Sequence, residues 1–201
     1  MSDLERLITD RLRMLALRSR AVVVGVDGVD GSGKTSFAAR LADGLRPLPV
    51  SVVHADDHLN PPEIRHAKGR NSPEGFWLDT YDHSSLIGAV ADARAAASGG
   101  GEIVLVEGMF LHRAELRSLW DFSVFLDVPF ALTAARMAVR DGSHPDHRHA
   151  SMRRYVEGQR LYFAEAEPWR HASEIMDNSS DEPIRIRPEN CFAARQHLDR
   201  L

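Results

Sequence analysis

Eight consecutive residues, Gly28-Val29-Asp30-Gly31-Ser32-Gly33-Lys34-Thr35, carry the most specific chemistry in the chain. They fit the pattern G-x-x-x-x-G-K-[S/T], in which glycines let the backbone bend so that successive N–H groups face phosphate oxygens. A helix opening at this point adds the positive end of its dipole. Lys34 supplies a point charge for the β- and γ-phosphates, and the Thr35 hydroxyl suits one vertex of an octahedral Mg²⁺ shell. Gly28, Asp30, Gly31, Ser32, Gly33 and Ser36 complete the expected contacts to ATP.

A phosphate cradle serves switches, motors and kinases alike, so the reaction depends on what stands at the neighbouring strand ends. Asp56 and Asp57 directly follow a short apolar run, at the carboxyl edge where open α/β sheets place ligands; either is suited to take a proton from an attacking hydroxyl. Glu107 and Gly108 close another apolar run, where a carboxylate orients the metal or its water, making Glu107 the second expected metal residue. Phe76, Trp77 and Tyr81, with Phe110 and His112, offer stacking and hydrogen-bonding groups for a flat ring, and Asp82 is suited to bind a vicinal diol. Gln159 and Arg160 fall on a later helix where either can reach a substrate, and Asn178 ends the last strand-like run, an edge for an adenine pocket. His144, Asp146, His147 and His149 read as a solvated loop rather than a zinc site, while Arg148, Arg153 and Arg154 beside them are placed to close over phosphates.

The elements that position these groups follow from periodicity. β-Branched runs at 21–26, 50–54, 103–106 and 124–127 predict buried parallel strands, with shorter ones at 174–176 and 184–186. Helical spacing marks 86–97, 131–140, 152–166 and 192–198, and Leu4, Leu7, Ile8, Leu12 and Leu15 make 1–20 an amphipathic helix. Two stretches, 56–82 and 141–149, break the pattern and are expected to be functional loops.

Composition narrows the class. At 201 residues, 43% hydrophobic and 27% charged, the chain suits one globular domain. A net charge of −4 gives no global field for nucleic acid, and no apolar run is long enough to span a membrane. Cys191 is the single cysteine, which excludes an intramolecular disulfide and points to a reducing, cytoplasmic setting.

Gly28 to Thr35, Asp56-Asp57-His58, Tyr81-Asp82-His83, Val106-Glu107-Gly108, and Phe125-Leu126-Asp127 leading to Arg136 and Arg140-Asp141 resemble, in order and spacing, the uridine kinase and nicotinamide riboside kinase branch of P-loop kinases, which includes phosphoribulokinase. The likeness runs from about residue 21 to Asn178 and departs at His58-Leu59 and Ser84. It implies an α/β P-loop NTPase fold: a three-layer α/β/α sandwich on a mainly parallel five-stranded sheet with a small mobile lid. One domain would span 1–201, with an acceptor-binding segment at 56–82 and a lid at 136–154. It further implies Asp56 as general base, Tyr81 with Asp82 as a ribose clamp, Arg136 and Arg140 as lid arginines, and a homo-oligomer. The expected reaction is transfer of the ATP γ-phosphoryl group to the 5′-hydroxyl of a ribonucleoside. A sugar, sugar phosphate or pantothenate-like alcohol is the alternative acceptor, and a slowly hydrolysing nucleotide switch the alternative class.

Overall fold

The computed structural model describes residues 2–198. Strands β1 (Ala21–Gly28), β2 (Val50–His54), β3 (Glu102–Gly108), β4 (Phe122–Asp127), β5 (Glu174–Asp177) and β6 (Ile184–Arg185) form one sheet in the order β2-β3-β1-β4-β5-β6. The first five are parallel, and β6 runs antiparallel to β5. This corrects the expected five-stranded sheet. The chain doubles back after β5, and Ile184 and Arg185 pair with Asp177 and Met176 as a short exposed edge.

Nine helices surround the sheet among the described residues: α1 (Asp3–Ala16), α2 (Lys34–Leu45), α3 (Pro62–Arg65), α4 (Pro73–Asp79), α5 (His83–Ala96), α6 (Phe130–Asp141), α7 (Arg153–Ala166), α8 (Pro168–His171) and α9 (Phe192–Leu198). Strand alternation sorts them into layers. Val22, Val24 and Val26 face Ile8 and Leu12 of α1 and Phe37 and Leu41 of α2. Val23, Val104 and Phe125 join the other cluster, with Leu86 of α5, Ala134 of α6 and Phe163 of α7. The stretch 56–82, read as irregular, contains α3 and α4. Each begins with proline, whose fixed φ and absent N–H suit a first helical turn.

Asp27, the residue before Gly28, is fully buried. Its carboxylate accepts from the Tyr162 hydroxyl of α7, from the His112 N–H at 3.1 Å and from the Gly28 N–H at 2.7 Å, and it meets His112 Nδ1 at 2.7 Å. With Nδ1–H donating to the carboxylate, Nε2 accepts from Ser123 Oγ on β4 at 3.0 Å. A buried carboxylate is tolerated when donors satisfy it. These bonds tie the cradle's base to the β3 exit, β4 and α7.

Asp27→Ala is expected to leave the Tyr162 hydroxyl and the His112 Nδ1–H without their acceptor in the core, while the His112 backbone N–H keeps the Tyr162 oxygen at 3.1 Å. The cost is about 3 kcal/mol or more, which for a chain of this size lowers Tm by roughly 6–12 °C. Calorimetric unfolding of the variant against the parent checks it.

Candidate active site

Parallel pairing sets His54 opposite Glu107, and Glu107 opposite Val26, so the ends of β2, β3 and β1 stand in a row. Gly108 and Ala55 touch where the first two meet: a Cβ on Gly108 would stand 2.4 Å from the Ala55 Cβ. Asp56 and Glu107 are the next residues along from that contact. Asp56 lies in a 3₁₀ turn, Ala55–His58, and the Tyr81 hydroxyl donates to its Oδ1 at 2.8 Å. The same phenol oxygen accepts the Met109 N–H at 3.4 Å. Burial, reinforced by the Asp56 charge, pushes the Tyr81 hydroxyl well above the ordinary phenol range, so it remains a donor. The Asp57 side chain makes no hydrogen bond or ion pair among the described residues. The choice left open between the two aspartates thus has a structural distinction: only Asp56 has a buried partner orienting it.

Thr35 Oγ1 donates to Glu107 Oε2 at 3.2 Å, and Glu107 Oε1 lies 2.7 Å from His54 Nδ1. A hydroxyl beside a carboxylate is a hard oxygen donor set that suits Mg²⁺. His54 was not singled out in the sequence. The available signal was its place as the last residue of an edge strand, directly across the ladder from Glu107. Lys34 Nζ donates to the Val29 carbonyl at 3.0 Å, which keeps the ammonium folded over the loop.

The cradle is braced on its far side. Gly33 has φ +90°, a left-handed conformation that side chains disfavour, and it opens α2. Asn178 Nδ2 donates to the Ser32 carbonyl at 2.7 Å. Arg136 donates to the carbonyls of Asn178 at 2.9 Å, Ser179 at 3.3 Å and Gly31 at 3.5 Å. Arg140 pairs with Asp30 at 3.0 Å and Asp141 at 2.7 Å. Gly31, Gly33, Lys34, Thr35, Ser36, Arg136 and Arg140 line a cavity of about 260 Å³. A second, of about 360 Å³, continues past Arg136 to Asn178, Ser180 and Asp181. The cradle therefore fits a triphosphate, with space for the rest of a nucleotide beside Asn178. Arg136 and Arg140 belong to the last turns of α6, so the expected lid begins as helix.

Other expected contacts lie elsewhere. Asp82 is the N-cap of α5, its Oδ1 accepting the Ser85 N–H at 3.0 Å. His112 is 1% exposed, with both ring nitrogens committed to Asp27 and Ser123, which corrects its expected place at the substrate. Trp77 is likewise corrected: it is buried, its indole N–H donates to Glu165 at 3.1 Å, and the Arg113 guanidinium covers its ring at 4.5 Å. Phe76 and Phe110 pack edge-to-face in the same cluster. Arg160 bonds to Glu157 at 2.7 Å and Gln196 at 2.9 Å and lies over Phe130, on the flank of α7 toward α9. His144 and His149 stack with centroids 3.8 Å apart, and no metal-ligating cluster exists among the described residues. No helix among those residues is long and apolar enough to cross a membrane.

Fold and cradle define a P-loop nucleotide-binding protein, and the known proteins it is similar to are P-loop kinases. Uridine kinase from Macrococcus caseolyticus is 25% identical over 147 residues, covering 61% of this chain and 70% of that protein. Adenylyl-sulfate kinase from Shigella flexneri is 31% identical over 137 residues, 64% of each. A solved structure from Bacillus stearothermophilus, described as a possible uridine kinase, superposes with a TM-score of 0.61 at 23% identity, covering 84% of this chain and 98% of that one. No family model matches the chain. Within the kinases, the likeness is to the uridine kinase-like branch.

Tyr81→Phe is expected to retain the packed ring but free the Asp56 carboxylate to rotate. Phosphoryl transfer should slow about 10- to 100-fold while ATP affinity stays within about twofold, the effect of losing a charge-assisted hydrogen bond that orients the Asp56 carboxylate. Steady-state kinetics combined with nucleotide titration check both halves.

Proposed function

We propose that the chain transfers the γ-phosphoryl group of ATP to a hydroxyl of a small metabolite, with Asp56 as general base. The observation that supports this most directly is the Asp56–Tyr81 pair at the end of β2. It lies two strands from the end of β1, about 10 Å at normal strand spacing, a gap that suits an alcohol beside a terminal phosphate.

The steps balance simply. The acceptor oxygen forms a bond to the γ-phosphorus as its proton passes to Asp56, and the bond from that phosphorus to the β–γ bridging oxygen breaks, releasing ADP. Loop amides and Lys34 hold the phosphates, and Arg136 and Arg140 at the cavity edge offset charge spreading over the transferring oxygens. Thr35 and Glu107 would hold Mg²⁺, which when bound neutralises charge on the β- and γ-oxygens. His54, bonded to Glu107, fixes that carboxylate's orientation.

For the acceptor, the resemblance to uridine kinases supports the 5′-hydroxyl of a ribonucleoside. Asp82 keeps a carboxylate oxygen outside its cap bond for a diol. A second reading, an alcohol without a nucleobase, is favoured by the burial of Phe76, Trp77 and Phe110, three rings expected to stack on a base that are instead part of the core.

In a panel of nucleosides, sugars and sugar phosphates assayed for ADP release, at least one acceptor should raise turnover above ATP hydrolysis alone. Asp56→Asn should cut that acceptor-dependent rate about 10²- to 10⁴-fold, and Asp57→Asn should change it by less than about threefold. Equal losses in the two variants would remove the assignment of Asp56, and hydrolysis indifferent to every acceptor would favour a switch.

A further inference from the structure

Three arginines and a histidine gather where the acceptor segment meets α7, and among the described residues none has an acidic partner. Arg65 ends α3, His66 and Arg70 follow it, and Arg154 lies in the first turn of α7. Arg154 donates to the Arg70 carbonyl at 2.9 Å, and its guanidinium lies over the Phe76 ring at 5.3 Å, so its direction is set. Among the described residues, no ion pair involves any of the four. The Nε atoms of Arg65 and Arg154 and the Nδ1 of His66 are shielded from solvent without a hydrogen-bond partner. Lys68, on the same loop, is by contrast neutralised by Asp79 at 2.6 Å.

Such an arrangement opposes folding, since like charges repel and shielded donors go unpaired. Both effects register in the side chains. Partial burial, with Arg65 and Arg70 close by, holds the Arg154 guanidinium below its usual range. Desolvation, then Arg154, Arg70 and Arg65, lowers the His66 imidazole. In a chain whose net charge is −4, acids are plentiful, and Glu63 and Glu74 stand on the neighbouring turns, yet none pairs with these residues. A group of cations kept unneutralised and pre-oriented is the arrangement that binds an oxyanion, and arginine forks match phosphate and carboxylate geometry.

We propose that Arg65, His66, Arg70 and Arg154 form a site for an oxyanion carried by the phosphoryl acceptor, so that the substrate is a phosphorylated or carboxylated alcohol rather than a neutral nucleoside. The site rests on the kinase reading only for the identity of its ligand as acceptor. Arg65, His66 and Arg70 lie on the segment between Asp56 and Tyr81. Arg154 lies over Phe76, whose ring meets Phe110 just past the end of β3. Three of the group therefore belong to the segment that also carries Asp56 and Tyr81, whereas Arg136 and Arg140 line the phosphate cavity.

Two measurements on the full chain test it. First, inorganic phosphate is titrated calorimetrically into the parent, Lys34→Ala and the double variant Arg65→Gln/Arg154→Gln. The proposal expects binding that survives Lys34→Ala and is weakened about ten- to hundredfold in the double variant, the loss expected for charge-assisted bonds. Phosphate binding abolished by Lys34→Ala and untouched in the double variant would overturn it. Second, acceptors are compared as matched pairs: free sugars against their phosphates, and alcohols against their hydroxy acids. The charged member should be preferred, and the double variant should raise its KM about ten- to hundredfold with kcat within about threefold. Separate preferences for phosphates or for acids distinguish the two forms of the anion. Neutral nucleosides used efficiently, with KM unchanged in the double variant, would sink the proposal and leave the kinase standing. If no acceptor of either kind stimulates ADP release, the kinase reading fails, and the phosphate titration alone decides the site. Unchanged or raised Tm in the double variant excludes misfolding as the cause, since the substitutions relieve repulsion.

Discussion

The site depends on the closeness with which β3 fits between β1 and β2. Where Gly108 meets Ala55, a methyl group would overlap its neighbour, so the end of β3 can reach its depth only as glycine. That contact fixes how far Asp56 stands from Glu107. Through the Glu107–Thr35 hydrogen bond, it also fixes how the acceptor side stands against the cradle. Parallel pairing alone sets these ends to the nearest residue, whereas phosphoryl transfer is sensitive to displacements of an ångström. The backbone contact provides the finer setting, and the Tyr81 hydroxyl, bound to both Asp56 and the Met109 amide, links the same two strand ends from below.

Much of this could be read from the residues. The cradle was legible because its glycines, lysine and threonine have few other reasons to occur in that order, and Glu107 because a carboxylate ending a buried run has a short list of uses. The strands of the parallel sheet were legible as continuous apolar runs. What escaped depends on contacts between distant residues. Asp56 and Asp57 are indistinguishable until Tyr81, 25 residues on, chooses one of them. Asp82 reads from the sequence as a diol ligand, and the structure adds a cap role through its bond to the Ser85 amide. Composition places aromatic rings near a site without saying which way they face, and here Phe76, Trp77 and Phe110 face inward.

Those buried rings do a different task from the one their location suggested. Phe110 holds φ 64°, in the left-handed region that costs a non-glycine residue about 1–3 kcal/mol. The turn brings the chain leaving β3 sharply round, so that His112 reaches Asp27 while Met109 stays beside Tyr81. Edge-to-face contacts with Phe76, Trp77 and Tyr162 at 5.1–5.3 Å hold the ring in place and offset the strain. The aromatic cluster is thus a brace for the β3 exit.

The arginines divide into two groups. On the donor side, Arg136 is held by three backbone carbonyls and Arg140 by two aspartates, partners that exclude nothing from the cavity yet keep each cation in place before any phosphate arrives. Such pre-positioning lowers the ordering entropy lost on binding. The acceptor side has no comparable neutralisation: Arg65, Arg70 and Arg154 keep their charge uncompensated at a cost to stability. A fold with acids to spare that leaves one cluster of cations unpaired has its electrostatic balance completed only when something anionic is bound. The adjoining contact between α4 and α7 is already close, since a Cβ on Gly158 would stand 2.6 Å from the Phe76 ring, so a bound anion would act by relieving repulsion among the arginines rather than by moving the helices.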